Sequence, residues 1–321
     1  MGRYITRRLL YLVLVLLIIS MITFVIFYVL PPIDPATAFA GKQPTPQIVN
    51  EVKRQFGLDK PLWQQYGLFI GRFVAGDEYG WPGMGFSYYT RSPVKEEVFS
   101  RAFVSVQLAV GAAVVWLLLG IPIGIVSALK RRSVVDRAAM GFALFGVSAP
   151  VFWLGLMALF IFWEKLQLLP GTGFTPFSEN PGEWFGHLIM PWVCLALLFA
   201  AIYARLVRGQ LIETMSEDYI RTARAKGLRE RTVVTKHGLR ASLTPVVSAF
   251  GVDFGTLLGG AIITETVFNI PGLGIYVVQA VRQGDLPTVL AVTVLAAFFI
   301  TFMNLIVDIA YAYLDPRVRY S

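Results

Sequence analysis

The sequence predicts an all-α integral membrane protein, and three observations carry that prediction. Of its 321 residues, 56% are hydrophobic and only 15% charged, against about 25% charged in an ordinary soluble domain. Its mean hydropathy is +0.63. Its apolar residues gather into runs of roughly 20, the length at which a helix crosses a bilayer with every backbone group bonded internally.

Six runs are read as transmembrane helices: 9–30, 102–129, 138–163, 188–207, 243–263 and 287–314. The first imitates a secretory leader, because Arg3, Arg7 and Arg8 precede it and small residues alternate at Ala36, Ala38 and Ala40. From Leu9 to Leu30, however, it holds 22 uncharged residues, beyond the roughly 7–15 of a leader's apolar region. It is read as a retained span. Arg205 and Arg208 crowd the end of the fourth run, and Asp253 and several glycines dilute the fifth. Pro122 with Gly120 and Gly124, and Pro150 with Gly146, mark expected kinks.

Orientation follows from where Lys and Arg fall. With the N-terminus inside, the inner segments hold eighteen basic and six acidic residues. The outer segments beyond the long first loop hold only Lys165 and Arg282 as basic residues. The expected topology is N-in and C-in. Topology then accounts for the net charge of +8, and no nucleic-acid partner is required.

The chain divides into an N-terminal span (1–30), an extracytoplasmic region (31–98), a five-helix core (99–314) and a short inner tail (315–321). In the outer region an amphipathic helix is expected over Thr45–Phe56, with Pro46 in its first turn. A second is expected over Pro61–Val74, and residues 76–86 are read as loop. This region is too small and too mixed for an independent domain, so it is expected to pack on the helices. A further short helix, 275–282, is expected at the outer interface.

Enzyme chemistry finds little to build on. There is no phosphate-cradling Gly-rich loop with its Lys, and no His-Glu-x-x-His. Two histidines and the single Cys194 offer no metal cluster and no intramolecular disulfide. Ser148, in Gly146-Val-Ser-Ala-Pro150, looks superficially like an intramembrane nucleophile, but neither His187 nor His237 lies at a depth that makes it an obvious base. Intramembrane charges are costly and often functional. Asp253 either lines a water-filled path or hydrogen-bonds a neighbouring helix. Asp308 reads as a tie to a basic residue or helix end. Gly251, Gly255 and Gly259 recur every four residues, which permits close helix packing and also suits a moving, pore-lining helix.

The sharpest signal is the basic stretch 217–240. Ile220, Ala223, Gly227 and Leu228 gather on one helical face by three- and four-residue spacing, and Arg221, Arg224, Arg229 and Arg231 surround them. Physics alone leaves two occupants for that face: anionic lipid, or a partner protein reaching the small residues.

Here the sequence resembles a known family. Glu217-Asp-Tyr-Ile-Arg-Thr-Ala-Arg-Ala-Lys-Gly-Leu228, followed by Lys236-His-Gly-Leu-Arg-Ala-Ser-Leu-Thr-Pro245, is similar to the cytoplasmic EAA loop of ABC-importer permeases. Gly57-Leu-Asp-Lys-Pro-Leu62, Glu265-Thr-Val-Phe268, Pro271-Gly-Leu-Gly274 and Leu314-Asp-Pro-Arg-Val-Arg-Tyr320 extend the likeness in family order. They resemble the dipeptide, oligopeptide and nickel branch, and its first or B-type permease. Arg221-Thr-Ala223 stands where the general motif has Glu-Ala-Ala, and the closing proline, Pro245, falls late.

The resemblance implies the type I ABC importer permease fold in a bacterial cytoplasmic (inner) membrane. It implies a homologous second permease, two ABC ATPase subunits and an extracytoplasmic substrate-binding protein, with membrane lipid around the helices. ATP and Mg would be bound by the ATPases, so this chain would hold no cofactor and no metal and would be a non-catalytic subunit. Within the loop 208–242, Tyr219, Arg221, Thr222, Ala223, Arg224, Ala225, Lys226 and Gly227 would form the ATPase-coupling helix. Ala223 and Gly227 are expected to give close approach, and Arg221, Arg224 and Lys226 to set register. Asp253, Gly251 and Gly255 are the expected translocation path. Relatives of this kind carry di- or oligopeptides, nickel chelates, glutathione or oligosaccharides. The competing classes are an ATP-independent channel or secondary transporter and, more distantly, a membrane-embedded hydrolase.

Overall fold

A computed structural model describes residues 2–30, 34, 36–37, 40, 45–259 and 261–314. The tail 315–321, Gly260 and the side chain of Asp308 lie outside the described residues. Helix α1 (Gly2–Phe24) runs into a π-helical turn, Val25–Val29. The outer region holds α2 (Pro46–Phe56), α3 (Leu62–Ala75) and a two-residue hairpin of β1 (Phe86–Ser87) and β2 (Ser92–Pro93). Then come α4 (Val94–Leu129), α5 (Val134–Ser148), α6 (Val151–Ala158) with a π-helical extension to Lys165, and α7 (Pro181–Thr214). A short helix α8 (Asp218–Ala225) precedes α9 (Glu230–Thr232), a π segment Val233–Gly238 and α10 (Leu239–Ser242). Helices α11 (Thr244–Leu258), α12 (Ile262–Phe268), α13 (Leu273–Gln283) and α14 (Leu286–Leu314) complete the chain.

Helices α1, α4, α7 and α14 are long and apolar enough to cross a bilayer unaided. Three bent pairs pass only together: α5 with α6 and its extension, residues 230–242 with α11, and α12 with α13. Four to seven crossings are thus compatible with length and composition, where the sequence reading expected six. The expected third span, 138–163, is broken by 100°. Pro150 supplies no N–H and pushes Ala149 out of the helical region, to ψ 124°. Pro122 and Pro191, by contrast, sit inside α4 and α7 without ending them.

Lipid tails offer helices no hydrophobic reason to associate, so close backbone approach and dispersion must hold them together. The α4–α7 contact is the most extensive in the molecule. At Gly124 a Cβ would sit 2.6 Å from the carbonyl oxygen of Ala204, so only glycine fits there. Fully buried Trp116 of α4 sets its ring 4.7 Å from Phe199, 5.9 Å from Tyr203 and 5.7 Å from Phe250, bringing α4, α7 and α11 together. Leu10, Val13 and Leu118 stay exposed, as lipid-facing positions of a membrane helix should.

The outer region packs as expected. Thr45 caps α2 by accepting from Ile48 N at 3.3 Å, Pro46 occupies the first turn, and Gly57 ends the helix at φ +63°. Lys53 bonds Asp34 at 3.1 Å and holds its carboxyl below the usual carboxylate range. Tyr66 and Ser20 hydroxyls meet at 3.0 Å, and Phe69 packs between Phe24 and Tyr28 of the first span. Ser87 and Thr288 both donate to Asp285 Oδ2 at 2.7 Å, fixing the hairpin to the start of α14. The region is therefore pinned to α1 and α14.

Candidate functional site

Helix α8 is a short, exposed helix between the long α7 and the short α9. Glu217 enters it in extended conformation, and a two-bond C-terminal cap ends it: Gly227 N donates to Arg224 O at 2.9 Å and Leu228 N to Ala223 O at 3.4 Å. That closure needs a left-handed residue, and Gly227 takes it at φ +75°. An added Cβ there would meet nothing within 4 Å. The glycine therefore serves the turn and leaves an open surface beside it.

The predicted loop residues separate into two faces. Ile220 and Ala223 are buried against Val233, with Met215 alongside. This corrects the expectation that Ala223 gives close approach to a partner: its side chain faces the chain's own loop, and of the two small residues only Gly227 is open. Tyr219, Arg221, Thr222, Arg224, Ala225, Lys226 and Gly227 are exposed. Arg224 grips Glu230 through two bonds, 2.7 and 3.1 Å, which raise its guanidinium pKa. It braces the loop across α8 and α9. Arg221 makes only a 3.4 Å contact with Asp218.

One turn and a half before the end of α7, Arg208 forks onto Asp136 at 2.7 and 2.9 Å. Asp136 also accepts from Ser127 Oγ at 2.6 Å and Arg132 N at 2.8 Å. One carboxylate thus ties the end of α4, the start of α5 and the helix that leads into α8. The sequence reading passed over it. Its signal was available: Ser133 three residues before Asp136 is a helix-start pattern, and Asp136 is the one acidic residue in an otherwise basic connection.

The expected path residues also fall on different faces of α11. Gly251 packs on Val307 and Gly255 on Ile300 and Met303, so both serve the contact with α14. Asp253 points away from that contact, toward α7, where Tyr203 donates to its Oδ2 at 2.9 Å. A second buried acidic group, Glu265, was noted only as part of a motif. It is wholly buried, with Oε1 accepting from Ser105 and Oε2 from Ile275 N, each at 2.8 Å. Ser105 Oγ in turn accepts from Leu273 N at 2.8 Å. The pair caps the first turn of α13. A cavity of about 570 Å³ between α1 and α14, lined by Leu12, Ile19 and Ala296 among others, contains none of these groups. Among the described residues no His, Cys, Asp or Glu cluster could hold a metal ion.

A mostly helical membrane body with a self-capped, exposed short helix between its crossings is the class of protein the fold defines. The chain belongs to the family described as binding-protein-dependent transport system inner membrane component, whose model matches residues 120–320, with the model of that family's N-terminal part matching residues 1–109. It is 36% identical to the dipeptide transport system permease protein DppB of Alkalihalophilus pseudofirmus, and 38% identical to the glutathione transport system permease protein GsiC of Escherichia coli K12; both alignments cover the whole of each chain. The fold is that of ABC importer permeases. An inward-facing structure of the MetNI methionine ABC transporter matches with TM-score 0.55 at 18% identity, over 70% of this chain and 98% of that one. The protein is therefore a multi-pass inner-membrane component of a bacterial ABC importer.

Proposed function

We propose that this chain is the B-type permease of an importer that moves di- or oligopeptides from an extracytoplasmic binding protein into the cytoplasm. Full-length similarity to a dipeptide permease supports that substrate class, and similarity to a glutathione permease, itself specific for a peptide, favours glutathione as the second reading. Two ATPase subunits bind ATP and Mg, and a homologous second permease completes the membrane pore. The distribution of Lys and Arg supports an N-in and C-in topology, with α8 on the ATPase side.

The observation that carries the proposal is the exposed, separately capped α8, with Tyr219, Arg221, Thr222, Ala225, Lys226 and Gly227 outward and Ile220 and Ala223 anchored inward. An ATPase groove that seats this face moves α8, and the loop passes the motion to α7 and α11. The switching energy comes from nucleotide binding, because only a differential interaction shifts a two-state equilibrium.

Gly227→Trp tests the coupling role. It fills the open surface while leaving the membrane helices untouched, so the permease should insert normally but lose its ATPases or their stimulation by loaded binding protein. Normal stimulated ATP hydrolysis would count against the role. Uptake of labelled dialanine and of glutathione by the reconstituted system separates the two substrate readings. Uptake that persists without ATPase subunits would instead establish the channel or secondary-transporter class.

A further inference from the structure

We infer that Asp253, one oxygen held by Tyr203, forms a subsite for a protonated amino group, and that it receives the amino terminus of the peptide in transit. The assignment rests on the peptide-import reading above and deepens it.

Asp253 is the only charged residue of α11, about 14 Å along the helix from Thr244 at the α-helical rise. One face of α11, through Gly251 and Gly255, is closed by α14. The adjoining flank, about 100° round the helix and bearing Val252 and Thr256, is uncovered: Val252 is 55% exposed. Asp253 stands at the margin of that uncovered face and is partly exposed. Its Oδ2 is taken by Tyr203, and among the described residues neither Lys nor Arg pairs with it. A carboxylate with a free oxygen cannot face hydrocarbon without a large penalty, and such groups face a bundle interior or a water-filled cavity. The Val252–Asp253–Thr256 face of α11 is therefore the face turned to the translocation path.

The surroundings of the carboxylate then define its ligand. Phe250 and Phe254, one on each side of Asp253 in sequence, stack at 5.4 Å, and Phe250 continues to Trp116, which packs on Phe199 and Tyr203. Aromatic faces attract cations, and most strongly where water is scarce. Tyr203 is fully buried, so its hydroxyl fixes one carboxylate oxygen and leaves the other to the path. A fixed anion recognises a compact ammonium group. An anion would meet a repelling charge, and a neutral amide would gain no ion pair. A peptide presents one invariant ammonium, at its amino terminus, so a site that reads it accepts many side chains.

The test uses the complete importer in proteoliposomes, at saturating loaded binding protein, with dialanine and its desamino counterpart propionyl-alanine as differently labelled substrates. Comparing Asp253→Asn with wild type on the same binding protein cancels that protein's own preference. Loss of one charge-assisted bond lowers dialanine import about tenfold or more, while propionyl-alanine import changes less than twofold. Asp253→Glu, which keeps the carboxylate, restores the preference for dialanine. An equal fall for both substrates, or no fall for dialanine, overturns the subsite. An equal fall would mark Asp253 as helix-to-helix glue or as the partner of a basic residue on the second permease. Should the binding protein refuse propionyl-alanine, dialanine alone decides: import down about tenfold with stimulated ATP hydrolysis intact supports the subsite, and unchanged import overturns it. Wild-type vesicles that import neither dialanine, nor longer peptides, nor glutathione would refute the peptide reading itself.

Discussion

Removing Glu265 should unlatch the first turn of α13, and the structure sets the size of the effect. The Ser105 hydroxyl and Ile275 N donate to this wholly buried side chain, while Ser105 holds Leu273 N. The first N–H groups of a helix have no partner within the helix, so Glu265→Ala orphans Ile275 N and leaves the Ser105 proton without its acceptor. Each buried polar group so stranded costs about 1–3 kcal/mol, which puts the pair at about 4 kcal/mol. Local opening of α13 should become easier by roughly three orders of magnitude, since 1.4 kcal/mol is about a factor of ten. Hydrogen exchange at the Ile275 amide, measured in the assembled complex, reads that change directly. Glu265→Gln keeps one acceptor for Ile275 and can offer its amide N–H to Ser105 Oγ, so its loss of protection should be nearer tenfold. Ser105→Ala should expose Leu273 while sparing Ile275. Ile275 protection within twofold of wild type in Glu265→Ala would refute the capping role and leave the burial of this acidic group without explanation.

Gly227→Ala should weaken ATPase co-purification mildly and by strain alone: the left-handed backbone costs an L-residue about 1–2 kcal/mol, and a Cβ meets nothing there. Gly227→Asn, which tolerates that conformation better, should lie between alanine and wild type in the same pull-down. Exchanging Arg224 and Glu230 should keep ATPase stimulation near wild type, whereas Arg224→Glu alone sets two acidic groups together at the loop brace and should lower it; equal stimulation in the single and double variants would exclude the brace. Asp136→Arg should uncouple ATP hydrolysis from uptake, and Arg208→Asp in the same chain should recover coupling. Failure of the double exchange to improve on the single one would show that the surrounding Ser127 and Arg132 contacts, and not the ion pair, govern this joint.

Much of the fold was legible because lipid imposes a strict rule on length and polarity. The run 287–314 emerges as α14 almost residue for residue, and Thr45, Pro46 and Gly57 announce both ends of α2. The break of the third expected span was half legible: Pro150 marks where it bends, but the angle depends on what α6 packs against. Long-range partners were not legible. Asp136 and Arg208 lie 72 residues apart and Ser105 and Glu265 160 apart, and neither periodicity nor spacing brings such groups together. The face on which Ala223 falls was likewise undecidable, since a helical stripe of small residues looks the same whether it seats its own loop or a partner. For Asp253 the sequence supplied the charge and the two possible roles, and the structure adds the hydrogen bond that Tyr203 of α7 donates to it.

Helix α14 touches α11 along one flank and α1 along another, and its first turn holds the Ser87 hairpin through Asp285. It acts as a beam that joins the inner machinery to the outer surface. Any tilt that α11 imposes on it must be carried, through Asp285 and Leu290, to the aromatic cluster of Phe24, Phe69 and Tyr28. The outer region and α11 thus share one supporting helix, and a displacement of either would load the other through α14.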